Sequence, residues 1–401
     1  MALRSGERIP LGLLVVLTSC WLLGQLGYYA QTQLFGPVME RYGLDEATVG
    51  LMMSQEVMAY ALTAILLAGP VTRFPRARIA LLGGAIVFLS NIVSGNTESF
   101  EVLRITRMLA GFGAGMIGAA GTAAAASSVN PQRVFAIVSV SWGVVAAIPP
   151  ILIPYATVPF GAMGGYFALG AAALLISPLF YWLPDPPQDV EAGADTAELA
   201  SLSPLQRVAE RLGVRDAPYK GFAIAALAAL FIYETGQGSI QVFLEQFGLR
   251  AGLDELRVGE VLGFASFVGL SGGVIAAWLA NRFGNLWPAL IGIALNVVVA
   301  ASLALWTNAV AFAALYVCWN ATFYFVVPYI LGIMSEMDRK GRWAVATDAV
   351  WWLGAAPGPA VGGYVVATAG FPGLAGLVVT LGIVAIVIFR ITLSRFYRSR
   401  S

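Results

Sequence analysis

Four ionisable residues stand inside long apolar runs: Glu56, Arg107, Glu234 and Asp348. A charge held in hydrocarbon costs at least about 2.5–3.5 kcal/mol, so each needs a partner or a purpose. The chemistry open to such a set is ion pairing and proton carriage, in which a carboxylate takes up and yields a proton while an arginine changes partner. Glu56 and Arg107 each lie roughly two helical turns from the same end of their segments, so they can be level with one another. That pair reads equally as a proton-exchange site and as a static clip between helices. Glu234 sits near the middle of its segment, in "FIYETGQGSIQ", and is the preferred site for a proton or a cationic solute group. Asp348 lies about a turn and a half from the end of its segment, near Arg342, and suits a gate or cap. Polar side chains that could hydrogen-bond a solute gather nearby: Gln25, Tyr28, Tyr29 and Gln31 in one segment, Gln237 beside Glu234, and Asn320 and Tyr324 in another.

Other chemistries are excluded by what is missing. The 401 residues include no histidine, which removes a histidine proton relay, a histidine metal site and a Ser-His-Asp triad. The two cysteines, Cys20 and Cys318, sit alone in apolar runs, so no CxxC centre exists. No enzyme, metal or cofactor is implied. A net charge of +1, without a basic patch, gives nucleic acid nothing to bind. Gly113, Gly115 and Gly118 spell GxGxxG, but a dinucleotide turn needs a preceding strand and an acid about 20 residues on. No Asp or Glu occurs between Glu101 and Asp185. With Gly111 and Gly121 these glycines read instead as the small face of a packed membrane helix.

The positioning elements follow from composition. The chain is 59% hydrophobic and 11% charged, with mean hydropathy +0.79. A soluble domain of this size cannot hide that much apolar surface, so the bilayer is the solvent. Twelve apolar segments are long enough to cross it, and each must be helical because lipid satisfies no open backbone. Pro149, Pro150, Pro154, Pro357 and Pro359 therefore predict kinks, not breaks, in the fifth and eleventh helices. With the N-terminus inside, the inner loops hold Arg73, Arg76, Arg133, Arg207, Arg282 and Arg339 among many others, while the outer loops hold only Arg41, Arg250 and Arg257. The bias places both termini in the cytoplasm, with the chain in a bacterial inner membrane. The polar stretch Asp185–Pro218 is a cytoplasmic linker, and within it "SPLQRVAERLG" predicts a short amphipathic helix along the membrane face.

The chain also reads twice. "GLDEATVG" from Gly43 and "GLDELRVG" from Gly252 are 209 residues apart. The same spacing carries Arg73-Phe74 onto Arg282-Phe283, Arg133 onto Arg342, Trp142 onto Trp351, Pro150 onto Pro359 and Tyr155 onto Tyr364. It also carries Gln25 onto Glu234, an amide onto an acid. The expected organisation is a six-helix bundle over 1–183, the linker over 184–218, and a second six-helix bundle over 219–401. Two like bundles can rock about a site at their interface and expose it to each side in turn.

Three motifs give this pattern a family. After the second segment stands "AGPVTRFPRAR", with Arg73 and Arg76 where a G-x-L-x-D-R-x-G-R-R loop has its basic residues but Thr72 in place of the acid. The second copy, "AAWLANRFGN", puts Asn281 in the acid position beside Arg282 and Gly284. The fourth segment has R-x-x-x-G-x-G as Arg107, Gly111 and Gly113. An antiporter-type G-P-x-x-G-G occurs as Gly358, Pro359, Gly362 and Gly363, in the eleventh segment rather than the fifth. Over essentially its whole length the chain resembles the major facilitator superfamily. The resemblance implies an all-α fold of twelve transmembrane helices in two pseudo-symmetric bundles, and a cavity lined by the first, fourth, seventh and tenth helices. It implies secondary transport of a small organic solute, coupled to protons, by a monomer in the lipid bilayer. An uncoupled facilitator and a non-transporting sensor stand as alternatives. In the family the loop after the second helix latches the bundles by charge; with both acids missing, the latch here is weaker or built otherwise.

Overall fold

The computed structural model describes residues 10–67, 70–128, 131–186, 218–279, 282–338 and 342–399. The amphipathic helix expected within the linker lies outside them. Among the described residues every regular element is helical, and ten helices are long and apolar enough to cross a membrane. Spans 1 to 4 are Leu11–Tyr42, Glu46–Leu67, Arg76–Asn96 and Phe100–Ala126. Spans 7 to 10 are Lys220–Gln241, Glu255–Gly269 continued by Ser271–Leu279, Leu286–Leu305 and Ala309–Met337. The remaining crossings are jointed. Span 5 runs through Pro131–Val145 and Ile148–Leu152 into Pro154–Ile176, and reverses into span 6 at Gly161 (φ 58°, ψ −149°). Span 11 runs from Arg342–Ala355 into Gly358–Arg398, and reverses into span 12 at Gly370 (φ 64°, ψ −169°). Only glycine occupies that backbone region without strain. The two reversals are 209 residues apart, so the repeat is written in the backbone as well as in the side chains.

The proline-rich spans do more than kink. Helical pairing is interrupted at Ala146–Ala147 and again at Ile153, and in span 11 at Ala356–Pro357. Each proline withholds an N–H from the ladder and crowds the preceding turn; several within a few residues interrupt the helix where one would bend it. The jointed spans bring the Pro150 and Pro359 carbonyls against the other half of the chain; the Pro150 carbonyl, to which Pro154 offers no N–H, also accepts from Gln33 Nε2 (2.8 Å).

Those carbonyls meet glycines. A Cβ on Gly50 would strike the carbonyl of Pro359, and one on Gly259 would strike the carbonyl of Pro150. The two contacts are copies of one another at the 209-residue spacing. Beside them Ser54 Oγ accepts from the Ala360 N–H (2.8 Å), and a Cβ on Gly363 would strike the Glu46 carbonyl. Thr32 Oγ1 donates to the Gln241 carbonyl at 2.8 Å. Thr32 and Gln241 are themselves repeat equivalents, so a pseudo-twofold axis passes between them. All these contacts lie toward the end bearing the turns at Gly43 (φ 61°) and Gly252 (φ 89°), where Asp45 and Asp254 cap the following helices through Thr48 N–H and Arg257 N–H (each 2.8 Å).

Further from that end, the halves touch at Tyr60–Trp352 (centroids 4.9 Å) and, on the equivalent side, at Gly143–Leu270. One turn beyond Trp352, on the side nearer the Arg73 and Arg282 end, Asp348 is exposed.

The end bearing the Gly43 and Gly252 turns is shut by backbone meeting backbone, which no rotamer change can relieve. Gly50→Ala and Gly259→Ala should each force it apart. With a cysteine placed at Thr32, in a background of Cys20→Ala and Cys318→Ser, either substitution should raise labelling by a membrane-impermeant thiol reagent. Unchanged labelling in both would show that the glycine contacts do not hold that end closed.

Candidate functional site

Two polar clusters lie deeper in the molecule than the shut end. The first centres on Arg107, which is 2% exposed in span 4. Span 4 can bring it there because its glycines admit neighbouring backbones: a Cβ on Gly111 would strike the Glu56 carbonyl, and Gly83 and Gly113 oppose one another's carbonyls across spans 3 and 4. Small residues at such crossings let membrane helices pack closely. The guanidinium donates from Nε and Nη2 to Ser94 Oγ (3.2 and 2.9 Å) and from Nη2 to Asn91 Oδ1 (3.1 Å). Its Nη1 pairs with Glu56 Oε1 at 3.5 Å, and its Cζ lies 4.5 Å above the ring centre of Tyr166 in span 6. Gln31 of span 1 donates to Glu56 Oε2 (3.5 Å) and to the Met53 carbonyl (3.1 Å). Five helices thus share one buried charge pair.

The second cluster centres on Glu234 in span 7, also 2% exposed. Among the described residues its Oε1 has no hydrogen-bond partner, and no cation pairs with the carboxylate. Its neighbours on the helix are tied to other spans. Tyr233 Oη donates to Asn296 Oδ1 (2.7 Å), Thr235 Oγ1 to the Gly354 carbonyl (2.9 Å), and Trp319 Nε1 to Gln237 Oε1 (2.8 Å). Gly354 lets span 11 lie against the Glu234 stem. The arrangement locks span 7 against spans 9, 10 and 11 and leaves one carboxylate oxygen idle.

Aromatic rings wall the space between the clusters. Tyr28 meets Tyr29 (5.3 Å, 78°) and Trp352 (5.4 Å, 86°), and Tyr60 meets Trp352 (4.9 Å, 61°). Glu56 and Tyr28 border one narrow crevice with Tyr60 and Trp352. On span 10, Tyr316 stacks on Trp319 (5.7 Å), and Phe323 stands edge-on to Tyr324 and Trp351.

The residues singled out from sequence fall into distinct places. Gln25, Tyr28, Tyr29, Asn320 and Tyr324 are half-buried, and Asn320 Nδ2 donates to the Tyr316 carbonyl at 3.0 Å. Gln31 and Gln237 are buried and face Glu56 and Trp319 respectively. The loop motifs do not come together with this centre. Arg73 is exposed; Arg76 is buried and donates to the Val71 carbonyl (3.2 Å) and Ser127 Oγ (2.7 Å), partners in its own half of the chain. Arg282 lies over the Trp278 ring (4.4 Å), Gly284 has φ 64°, and Asn281 is outside the described residues. The G-P-x-x-G-G of span 11 belongs to the shut end: Gly358 and Gly362 lie on the backbone of Gly238 and Ser239. Sequence reasoning missed Asn91, Ser94, Tyr166 and Tyr60. Asn91 and Ser94 stand three apart in "LSNIVSGN", one helical face of an otherwise apolar span, which was a usable signal.

The family profile described as Major Facilitator Superfamily matches residues 17–347. Solved structures similar over nearly the whole chain include a bacterial homolog of the human lysosomal transporter Spinster in an inward-facing, unoccupied conformation (TM-score 0.72, 14% identity, covering 96% of this chain and 97% of that one). A D-xylose-proton symporter (0.71, 15%, 94% and 96%) and the nucleoside transporter NupG (0.70, 13%, 96% and 98%) are also similar. At such identities the likeness speaks for the fold alone. No curated protein matches the chain.

Removing one partner of a buried ion pair leaves the other uncompensated, at a cost of about 3–5 kcal/mol. Arg107→Met should therefore lower the thermal unfolding temperature sharply, and Glu56→Gln added to it should restore most of the loss. A double variant no more stable than Arg107→Met would show that the Glu56 charge does not depend on this arginine.

Proposed function

The chain belongs to the major facilitator superfamily of solute transporters, and on that premise we propose that it is a secondary active transporter, moving a small organic solute by alternating access and coupled to protons. It is an integral, multi-pass membrane protein. The arginine-rich Arg73 and Arg282 end is the cytoplasmic one, by the positive-inside rule, so the glycine–carbonyl contacts close the outer end and both termini lie in the cytoplasm of a bacterial cell. The working bundles are 1–183 and 219–401, joined by 184–218, in a monomer.

The observation that carries the reading is Glu234, an acid at mid-span with an idle oxygen and no cation, standing where the other half of the repeat has Gln25. A purely structural repeat would have no use for this asymmetry. Left charged and alone it would be among the costliest groups in the chain; a proton taken from one side and released to the other gives it a purpose. Glu56 and Arg107 form the second coupling element. When the halves rock, the Gly50–Pro359, Gly259–Pro150 and Thr32–Gln241 contacts part while the Arg73 and Arg282 ends draw together. Gln25, Tyr28, Tyr29, Gln31, Gln237, Asn320 and Tyr324 supply solute contacts, and Asp348 gates the cytoplasmic mouth.

The test uses a solute identified by thermal-shift screening of sugars, organic acids, amines and drugs, since a ligand of the folded state raises its stability. In proteoliposomes with a pH gradient, that solute should accumulate against its concentration gradient. Glu234→Gln should abolish accumulation while leaving equilibration measurable. Accumulation by Glu234→Gln equal to wild type would remove Glu234 from the coupling path. Wild-type transport that only equilibrates, whatever the pH gradient, would make the protein a facilitator.

A further inference from the structure

We propose that a cavity between the cytoplasmic ends of spans 7 and 12 binds the headgroup of an anionic phospholipid, its phosphate held by Lys220, Arg395 and the Thr392 hydroxyl. The site is separate from the Arg107 and Glu234 clusters and does not depend on what the protein transports. The cavity measures about 360 Å³ and is walled by Tyr219, Lys220 and Phe222 at the start of span 7 and by Ile391, Thr392 and Arg395 near the end of span 12. Pockets for small ligands run to roughly 300–1,000 Å³, so a headgroup fits the space. Its walls are fixed by rings. Phe396 meets Tyr219 (5.0 Å, 86°) and Phe222 (5.9 Å, 61°) across the two helices. Tyr219 is held at φ 55°, the one positive φ outside glycine among the described residues, a conformation that persists only where its surroundings impose it.

Charge says what the cavity takes. Lys220 and Arg395 are exposed, and neither pairs with a carboxylate among the described residues. No Asp or Glu stands between Tyr219 and Tyr233, and none follows Asp348. Two positive charges therefore share one cavity with no acid on either helix to answer them. The N-terminus of span 7 opens at the same place without a side-chain cap and adds partial positive charge. Thr392 is an independent sign of a missing partner. Other threonines of spans 11 and 12 donate to the carbonyl one turn back: Thr347 to Trp343, Thr368 to Tyr364 and Thr380 to Gly376, each at 2.8 Å. Thr392 is only 7% exposed and lines the cavity, yet its hydroxyl makes no hydrogen bond among the described residues. Buried polar groups are normally satisfied, and a phosphate oxygen between the two cations would accept from it.

The surroundings favour a lipid over a free anion. Ile391 is exposed in the cavity wall, and Val387 and Val384, four and seven residues before it on span 12, are exposed as well. At that spacing they continue one apolar helix face from the cavity toward the middle of the membrane. A soluble phosphate would leave this strip unused, whereas acyl chains would lie along it below the headgroup. The level is also right: span 7 begins and span 12 ends at the arginine-rich cytoplasmic face, where anionic lipids are met and where basic pockets between membrane helices hold their headgroups.

The full-length chain, delipidated in detergent, should be titrated with dioleoyl phosphatidylglycerol, with dioleoyl phosphatidylcholine, and with glycerol phosphate, which has the anion without the chains. Bound molecules are counted by native mass spectrometry, and the unfolding temperature is followed in parallel. Phosphatidylglycerol should fill a saturable site, with phosphatidylcholine about tenfold weaker or worse. Lys220→Gln with Arg395→Gln should remove that preference. Arg73→Gln with Arg78→Gln, which deletes the same charge from exposed positions at the same face, should retain it. Thr392→Val, which keeps shape and charge, should weaken phosphatidylglycerol and leave phosphatidylcholine unchanged. Equal binding of the two lipids, a preference that survives the Lys220 and Arg395 changes, or one lost equally with Arg73 and Arg78 would each overturn the proposal. Glycerol phosphate binding as tightly as phosphatidylglycerol would make this a site for a soluble anion and overturn the assignment to lipid. The comparisons on the wild-type protein stand even if a variant fails to fold.

Discussion

Two carbonyls resting on two glycines hold the shut end of this molecule, and the remainder of the architecture is arranged around that contact. Pro150 and Pro359 present the carbonyls from the jointed helices of spans 5 and 11. Gly50 and Gly259 receive them because neither carries a Cβ. Each contact is the image of the other under the 209-residue repeat, so closing one closes both. Packing of this kind is all-or-none: backbone atoms a few tenths of an ångström too close repel, and too far apart they lose contact. An interface built from it is a latch with two positions, which suits two bundles that must part cleanly. The acid-bearing loop latch implied by the family resemblance is not what the structure offers. Arg76 spends its donors within its own half, and the closing surface is made of glycine and proline.

The distribution of buried charge divides the halves by task. In the first half, Arg107 and Glu56 are embedded in a network from five helices, with every polar contact of the guanidinium answered by a named partner. Such a network stiffens its bundle. In the second half, the helix around Glu234 is bonded to spans 9, 10 and 11, while Glu234 Oε1 has no partner among the described residues. A rigid frame around one unsatisfied acid is the arrangement a reversible binding event requires, since the frame holds the geometry while the acid changes partner.

Much of this was legible in the chain. The repeat spacing was read from "GLDEATVG" and "GLDELRVG", whereas the meeting of its equivalent residues Thr32 and Gln241 is seen only in the structure. Glu56 and Arg107 were matched by depth alone, and they pair. What depth cannot encode is the rotation of a helix about its own axis. Asn91, Ser94 and Tyr166 complete the Arg107 site from spans 3 and 6; the i, i+3 spacing of Asn91 and Ser94 marks a polar face but not which neighbour it meets. The proline positions showed where spans 5 and 11 would yield but understated how far, since the effect of several nearby prolines is not the sum of single bends. Gly161 and Gly370 could be paired by the repeat, yet nothing local distinguishes a reversing glycine from a packing one.

Alternating access requires that the two halves rock as units, parting at the Thr32–Gln241 end while the Arg73 and Arg282 ends draw together. Two pairs of repeat-equivalent exposed positions report it directly: Glu98 and Thr307 at the shut end, and Arg73 and Arg282 at the opposite end. Spin labels at each pair, measured by pulsed electron resonance in nanodiscs at acidic and alkaline pH, should give distances that change in opposite senses, one pair separating as the other draws together. Distances that stay fixed under every condition, or that grow and shrink together at both ends, would contradict it.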